Sequence, residues 1–299
     1  MTDDARAGRV VAFGDLFTDV VAHLHGDLRY ADDVPARVST HGGGAAANTA
    51  AWVAHLGHDA SFVGRVGADV WGRAAVEVLV SGGVDCHVSA DPALPTGTCI
   101  VLVDGHGERS MVTDSGASAQ IRASDLPGPL FVPGNHLHVS GFSLIHDAAR
   151  EAALSALRQA GEHGMTRSVD PGAMAVIESV GAERLLDWLR GVDLVFPNED
   201  EARVLAGVDD PVEAAEKLAQ DVGAVVVKLG ADGAAWTDGV SLVHRDAAGG
   251  PVLDTTGAGD AFAAGYLGQW LAQAPPDAAL AAGVRTAALC VARVGGRPT

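Results

Sequence analysis

The sequence predicts an α/β fold, with a mainly parallel sheet covered on both faces by helices and a small, discontinuous β lid. Three observations predict it. Apolar runs of strand length alternate with helical patterns through most of the 299 residues, the order that builds βαβ units. Two stretches, residues 20–40 and 98–115, are rich in strand patterns and poor in helical ones. Finally, 48% of the residues are hydrophobic, enough to bury a substantial core.

The elements follow in order. RVVAFG (9–14) is a short apolar run and reads as a buried strand. GGGAAANTAAWVAHLG (42–57) is a glycine run followed by helix formers and closed by a C-cap glycine. ASFVGRVG reads as a strand, and DVWGRAAVEVLVSGG as a helix with Asp69 near its N-terminus and Trp71 as a packing residue. TCIVLVDGHGERSMVTDS (98–115) reads as a hairpin turning at DGHG. A regular rhythm follows, with strand HLHVSG, helix DAAREAALSALRQAGEHG, strand and turn TRSVDPG, and strand DLVFPN. Helices EDEARVLAG and PVEAAEKLAQDVG lead into strand AVVVKLG, and two helices, GAGDAFAAGYLGQWLAQ and PDAALAAGVRTAALCVARVGG, end the chain. No repeat or low-complexity linker interrupts this order. We expect one domain over 1–299, with its lid formed by about 20–40 and 98–115.

Composition narrows the function. The net charge is −18, from 20 basic and 38 acidic residues, the wrong sign for a duplex or membrane-surface binder. No apolar run approaches the about 18 residues of a membrane span. The acidic start MTDDARAGRV lacks the apolar region of a signal peptide. Cys86, Cys99 and Cys290 are odd in number and outside any CxxC, which reads as buried thiols in a reducing cytoplasm.

The stretch DTTGAGDAFAAGYL (254–267) carries the chemistry. Gly257 and Gly259 permit turns and close approach of an anion. A helix starting near Ala258 leaves its first N–H groups unpaired, and its dipole adds positive charge. Together they form an anion hole. A carboxylate inside such a hole would repel the ligand unless it had a task. Asp260 fits the task of accepting a proton from an attacking hydroxyl beside a phosphate. The plain alternative is a glycine turn with Asp260 at a helix start.

GGGAAANTAAWVAHLG, VFPNEDEA, VVVKLGADGA, DTTGAGDAFAAGYL and the tail VARVGGRPT occur in an order that resembles the ribokinase-like, or PfkB, family of carbohydrate kinases across nearly the whole chain. The resemblance implies a three-layer α/β/α domain with a β-sheet lid. It implies transfer of the γ-phosphoryl group of ATP, with Mg2+, to a hydroxyl of a small sugar. Asp260 would be the base, and the N–H groups of Gly257, Ala258 and Gly259 the hole for the phosphoryl group. Asp19 and Asn48 would hold sugar hydroxyls, with Gly43 and Gly44 bringing backbone close. Asn198 and Glu201 would organise magnesium, Glu201 through water, while Lys228, Gly230 and Gly233 fall on the nucleotide-binding turn. Asp254 and the Thr256 carbonyl match a K+ site of some members, completed by the tail from Val291. Two lids would pair in a homodimer.

Other motifs were weighed. Lys217 and Lys228 are both followed by leucine, so no Walker A loop exists. HRD (244–246) lacks the asparagine of a protein-kinase loop, since Pro251 stands there. GRVGADVWG does not fit a dinucleotide fingerprint, and the two HLH triplets read as half-buried strand histidines rather than metal ligands. No clustered carboxylates suggest a two-metal phosphatase. Against ribokinases, Ala45 replaces a lysine, Gly141 and Phe142 replace a polar ligand, and Val284 stands near the expected adenine site. With aromatics at 5% and a lid offering mainly Tyr30 and Phe17, a free sugar or small polyol-like acid is expected over a nucleoside. Arg109 is a lid residue that could meet a substrate anion. The alternatives are a nucleoside kinase of the same fold and an inactive sugar- or nucleotide-binding homologue.

Overall fold

The structure is a computed structural model that describes residues 8–29, 31–105 and 109–298. The first half contains β1 (Val10–Phe13), β2 (Phe17–Leu24), β3 (Ala36–Gly43), α1 (Ala45–His55), β4 (Ala60–Gly67), α2 (Val70–Ser81), β5 (Asp85–Asp91), β6 (Gly97–Val103), β7 (Arg109–Asp114) and β8 (His136–Ser140). Then come α3 (Asp147–Glu162), β9 (Thr166–Asp170), α4 (Met174–Val180), α5 (Ala182–Leu189), β10 (Leu194–Val195), α6 (Glu199–Ala206) and α7 (Pro211–Leu218). The chain ends in β11 (Ala224–Lys228), β12 (Ala234–Thr237), β13 (Leu242–Arg245), α8 (Ala258–Leu271) and α9 (Pro276–Val291).

Among the described residues the strands form two sheets, one of nine strands in the order β13-β12-β11-β10-β9-β8-β1-β4-β5 and one of four in the order β3-β2-β6-β7. Every pair from β11 across to β5 is parallel, while β12 and β13 add an antiparallel edge. The small sheet joins β2 to β3 and β6 to β7 antiparallel, and β2 to β6 parallel. This is the ribokinase-like α/β fold with its separate small sheet.

Alternation along β1 explains the three layers. Successive side chains point to opposite faces. Val11 and Phe13 therefore pack with α3, α5, α6 and α7 on one face. Val10 packs with α8 and α9 on the other, and Ala12 with α1 and α2. Local rules set the helix starts, at Asp69 as expected. Asp69 accepts the Gly72 N–H at 2.8 Å at the start of α2, and Asp210 caps α7 through Val212 and Glu213.

Several expectations change. The lid strands begin three residues earlier than residue 20, at Phe17, and run to Gly43. Strands β5, β12 and β13 and helices α4 and α5 were not anticipated. Trp71 is exposed on α2 instead of packed, because its helix buries only Gly72, Ala75 and Leu79. His136 and His138 are fully buried, not half-buried. Their rings bond Thr166 and Ser168 at 2.7–2.8 Å, and burial pulls both pKa values down, His138 to about 4. Tyr30 and the last two residues of the DGHG turn lie outside the described residues. Cys99 and Cys290 are buried and Cys86 is half-buried, all as free thiols. No helix among the described residues is long and apolar enough to cross a membrane.

Candidate active site

A cavity of about 690 Å³ lies between the small sheet and the strand ends of the large one, where ligands bind open α/β sheets. Its lining brings together Asp19, Gly44, Asn48, Thr256, Gly257, Ala258, Gly259, Asp260 and Lys228 from the sequence-derived candidates. Gly43, Asn198, Glu201, Gly230, Gly233 and Asp254 are not among its lining residues.

The turn before α8 is built around Gly257. Its φ of 73° is left-handed, and a Cβ there would sit 2.5 Å from the Gly296 Cα, so only glycine fits. No side chain caps α8, so its first turn keeps donors for an anion. The Ala258 N–H bonds the Thr255 carbonyl at 3.2 Å, which concentrates the anion-binding role on its neighbours. Asp260 follows within that first turn and accepts Asn48 Nδ2 at 2.9 Å. Burial pushes the Asp260 pKa up to about 7. The Asn48 bond opposes that, Asp170 and Asp15 reinforce it, and Lys228 opposes it. A carboxyl titrating near neutrality is matched to general-base work.

Asn48 is itself held. Arg297 Nε donates to Asn48 Oδ1 at 3.0 Å, which turns the amide so that its NH2 faces Asp260. The same guanidinium bonds the Gly43 carbonyl. Burial lowers the Arg297 pKa to about 10, against the pull of Asp19, Asp15 and Asp260. Asp19 packs so tightly on Gly43 that a Cβ there would lie 2.0 Å from Oδ1. Burial lifts the Asp19 pKa to about 6, with Arg297 opposing and Asp15 and Asp254 adding to it.

Lys228 ends β11 and reaches into the cavity, donating to Asp170 Oδ2 at 2.6 Å. A Cβ on Gly259 would come within 3.2 Å of its Nζ, so the ammonium stands beside the turn that opens α8. Burial alone would lower its pKa, but Asp170 and Glu201 outweigh burial and hold it above its ordinary value. Gly230 and Gly233 shape the turn from β11 to β12, both at positive φ.

Asn198 and Glu201 form a capping box at the start of α6. Asn198 Oδ1 accepts the Glu201 N–H at 2.9 Å, and Glu201 accepts Asn198 N at 2.9 Å and Nδ2 at 2.8 Å. Burial pushes the Glu201 pKa up to about 7. Each Glu201 oxygen accepts one donor from Asn198, which leaves lone pairs for the water of a hydrated magnesium ion. Asp254, in front of the turn, accepts Thr256 N at 2.7 Å and Gly295 N at 2.9 Å. Its Oδ1 also meets Arg109 at 2.6 Å.

Sequence reasoning missed three residues here. Asp15 follows β1, lines the cavity and accepts Ala45 N at 2.7 Å. Asp170 ends β9. Both are carboxylates at strand carboxyl ends, a position that could have flagged them. Arg297 had no local signal, since its partner Asn48 is 249 residues away.

The pattern of the pfkB family carbohydrate kinases matches residues 7–299. The 2-dehydro-3-deoxygluconokinase of Thermoproteus tenax is 33% identical over 294 residues, covering 94% of this chain and 88% of that one. The crystal structure of adenosine kinase from Sinorhizobium meliloti superposes with a TM-score of 0.87 at 26% identity, over 98% of this chain and 96% of the other. A double mutant of the fructokinase from Vibrio cholerae O395, with fructose, ADP and potassium ion bound, gives a TM-score of 0.83 at 28% identity, over 97% and 94%.

Proposed function

The chain belongs to the pfkB family of carbohydrate kinases, phosphotransferases that act on sugar hydroxyls, and from that premise we propose that it transfers the γ-phosphoryl group of ATP to a hydroxyl of an uncharged small sugar, with Asp260 as the base. The observation that carries this reading is Asp260 itself, a carboxyl with its pKa near 7, placed in the first turn of an uncapped helix and aimed by Asn48. The sugar hydroxyl gives its proton to Asp260 as its oxygen bonds the γ-phosphorus, the bond from that phosphorus to the bridging oxygen breaks, and ADP leaves with the electron pair. The N–H groups around Gly257 and Gly259, with the Lys228 ammonium, receive the charge of the moving phosphoryl group. Asp19 and Asn48 orient the sugar. Asn198 and Glu201 would hold the water of a hydrated magnesium ion, and such an ion would offset the charge of the nucleotide phosphates. Gly230 and Gly233 shape the turn that faces the nucleotide.

The uncharged acceptor follows from the lining. Asp15, Asp19, Asp170 and Asp260 all face the cavity, and Lys228, the lining cation, is already paired with Asp170. Arg109 and Arg297 are engaged with protein acceptors. An acid or phosphate on the sugar would meet these four carboxylates, with Lys228, the one lysine or arginine lining the cavity among the described residues, already paired.

A second reading, a nucleoside as acceptor, is favoured by the opposite wall. Phe17, Val101 and Met111 of the small sheet face Phe142 and Ile145 across the cavity, an apolar slot suited to a flat base. Phe142 comes from the large domain, which a count of lid aromatics does not reach.

An ADP-release screen over ribose, fructose, 2-keto-3-deoxygluconate, fructose phosphates, adenosine and other nucleosides tests both. Turnover with neutral sugars is expected. Turnover with nucleosides alone selects the second reading, turnover with acids or phosphates removes the charge argument, and none at all removes the kinase assignment. We further propose a cytoplasmic homodimer paired through the lids, whose outer residues Val38, Ile100 and Val112 are exposed and whose edge strands need covering. A fully active monomer by light scattering would contradict the dimer.

A further inference from the structure

We propose that Arg109 is a built-in replacement for the alkali cation at Asp254, so that docking of the small sheet completes the charge behind the phosphoryl-binding turn. The inference rests on the kinase reading.

The two groups that would ligate an ion are already engaged. Asp254 Oδ1 accepts the Thr256 N–H at 2.7 Å and an Arg109 nitrogen at 2.6 Å, and Oδ2 accepts the Gly295 N–H at 2.9 Å. The Thr256 carbonyl accepts the Cys290 thiol at 3.3 Å. The same Arg109 nitrogen reaches Thr256 Oγ1 at 2.5 Å, and its second terminal nitrogen reaches Thr255 Oγ1 at 3.4 Å. An ion would have to displace a guanidinium and pay for leaving it unpaired. The residues therefore do not fit a bound alkali ion while the lid is docked.

The pair is more than a surface contact. The Asp254 and Arg109 side chains keep 15% and 22% of their exposure, so solvent screens them less than an open pair. Thr256 immediately precedes Gly257, so a positive charge bonded to it adds to the potential at the hole.

Arg109 differs from an ion in where it comes from. It is the first residue of β7, the edge strand of the small sheet, and its contact with Thr256 spans 147 residues of sequence. The charge arrives only when that sheet docks over the cavity. Docking of the small sheet and electrostatic completion of the hole become one event, which disfavours phosphoryl transfer to water whenever that sheet lifts.

The test compares wild type, Arg109→Ala and Arg109→Lys in potassium, sodium and tetramethylammonium chloride at equal ionic strength. Two readouts are taken, the initial rate with an acceptor from the screen and the melting temperature without substrates. Wild type should show equal rates in the three salts and no potassium-specific rise in Tm. Arg109→Ala should lose about tenfold or more in kcat in tetramethylammonium, as expected for losing one preorganised positive group. It should also gain a potassium-specific rise in Tm, because Asp254 is vacated. Arg109→Lys should recover part of the rate. Potassium activation or stabilisation of wild type would overturn the proposal, and so would an Arg109→Ala enzyme at full rate in tetramethylammonium or one with no potassium-specific shift. If no acceptor is turned over, the kinase reading has failed, and the melting comparison still decides whether Arg109 occupies the ion's place.

Discussion

All five residues of β8 in the large sheet are buried, whereas five of the six residues of β7 in the small sheet are exposed. β8 lies between β1 and β9, with helices over both faces. β7 is an edge strand, held by its ladder to β6 and by Arg109 on Asp254 and Thr256. The difference separates two tasks. The large domain holds Asp260 and Glu201 where burial raises their proton affinity, and Lys228 where Asp170 and Glu201 raise it against burial, which needs a body that does not yield. The small sheet presents Asp19, Val101 and Met111 to the cavity on a scaffold with few buried contacts, where opening is cheap.

The largest expected effect tests whether the chemistry resides in the body. Asp260→Asn should lower turnover by about 10²–10⁴ while calorimetry still detects nucleotide binding. Turnover close to wild type would move the base elsewhere, even into the lid.

Stability should divide the same way. Phe13 is fully buried in β1, and Phe13→Ala should cost about 3–5 kcal/mol in denaturant unfolding. A loss below about 1 kcal/mol would mean that the body repacks as freely as the lid.

Acidity sharpens the contrast further. With Asp260 titrating near 7, kcat/KM should fall about tenfold per pH unit below that value and level off above it. A flat profile from about pH 5.5 to 8 would show that no such carboxyl limits the rate. Stability should move in the opposite sense. The native Asp260 keeps its proton up to about pH 7, while the unfolded one loses it near the usual carboxylate value. Between the two the native state binds more protons, so the contribution is complete at acid pH and is lost as pH rises through 7. Subtracting the pH–stability curve of Asp260→Asn from that of wild type isolates it. A difference that grows with pH would reverse the sign.

The smallest effect is expected on the outer face of the lid. Val112 is exposed on the single chain, so Val112→Ala should change stability by no more than about 0.5 kcal/mol at dilutions that separate the paired lids. A larger loss at micromolar concentration would indicate that a second lid covers this face.

The sequence by itself determined the parallel body and the glycine turn before α8. Both are written in local rules, the alternation of short apolar runs with helical periods and the glycines that free backbone at 257 and 259. Short elements escaped it. AAWT and LVHR, which became β12 and β13, are four residues each, and the two helices after β9 have seven and eight, too few for a period to register. Asp15, Asp170, Arg297 and the grip of Arg109 on Asp254 were decided by tertiary structure alone. Periodicity records which side of an element meets the core, because burial repeats with the geometry of a helix or strand. A charge bonded to a polar group 58, 147 or 249 residues away leaves no such repeat, and only the folded chain brings the partners within reach.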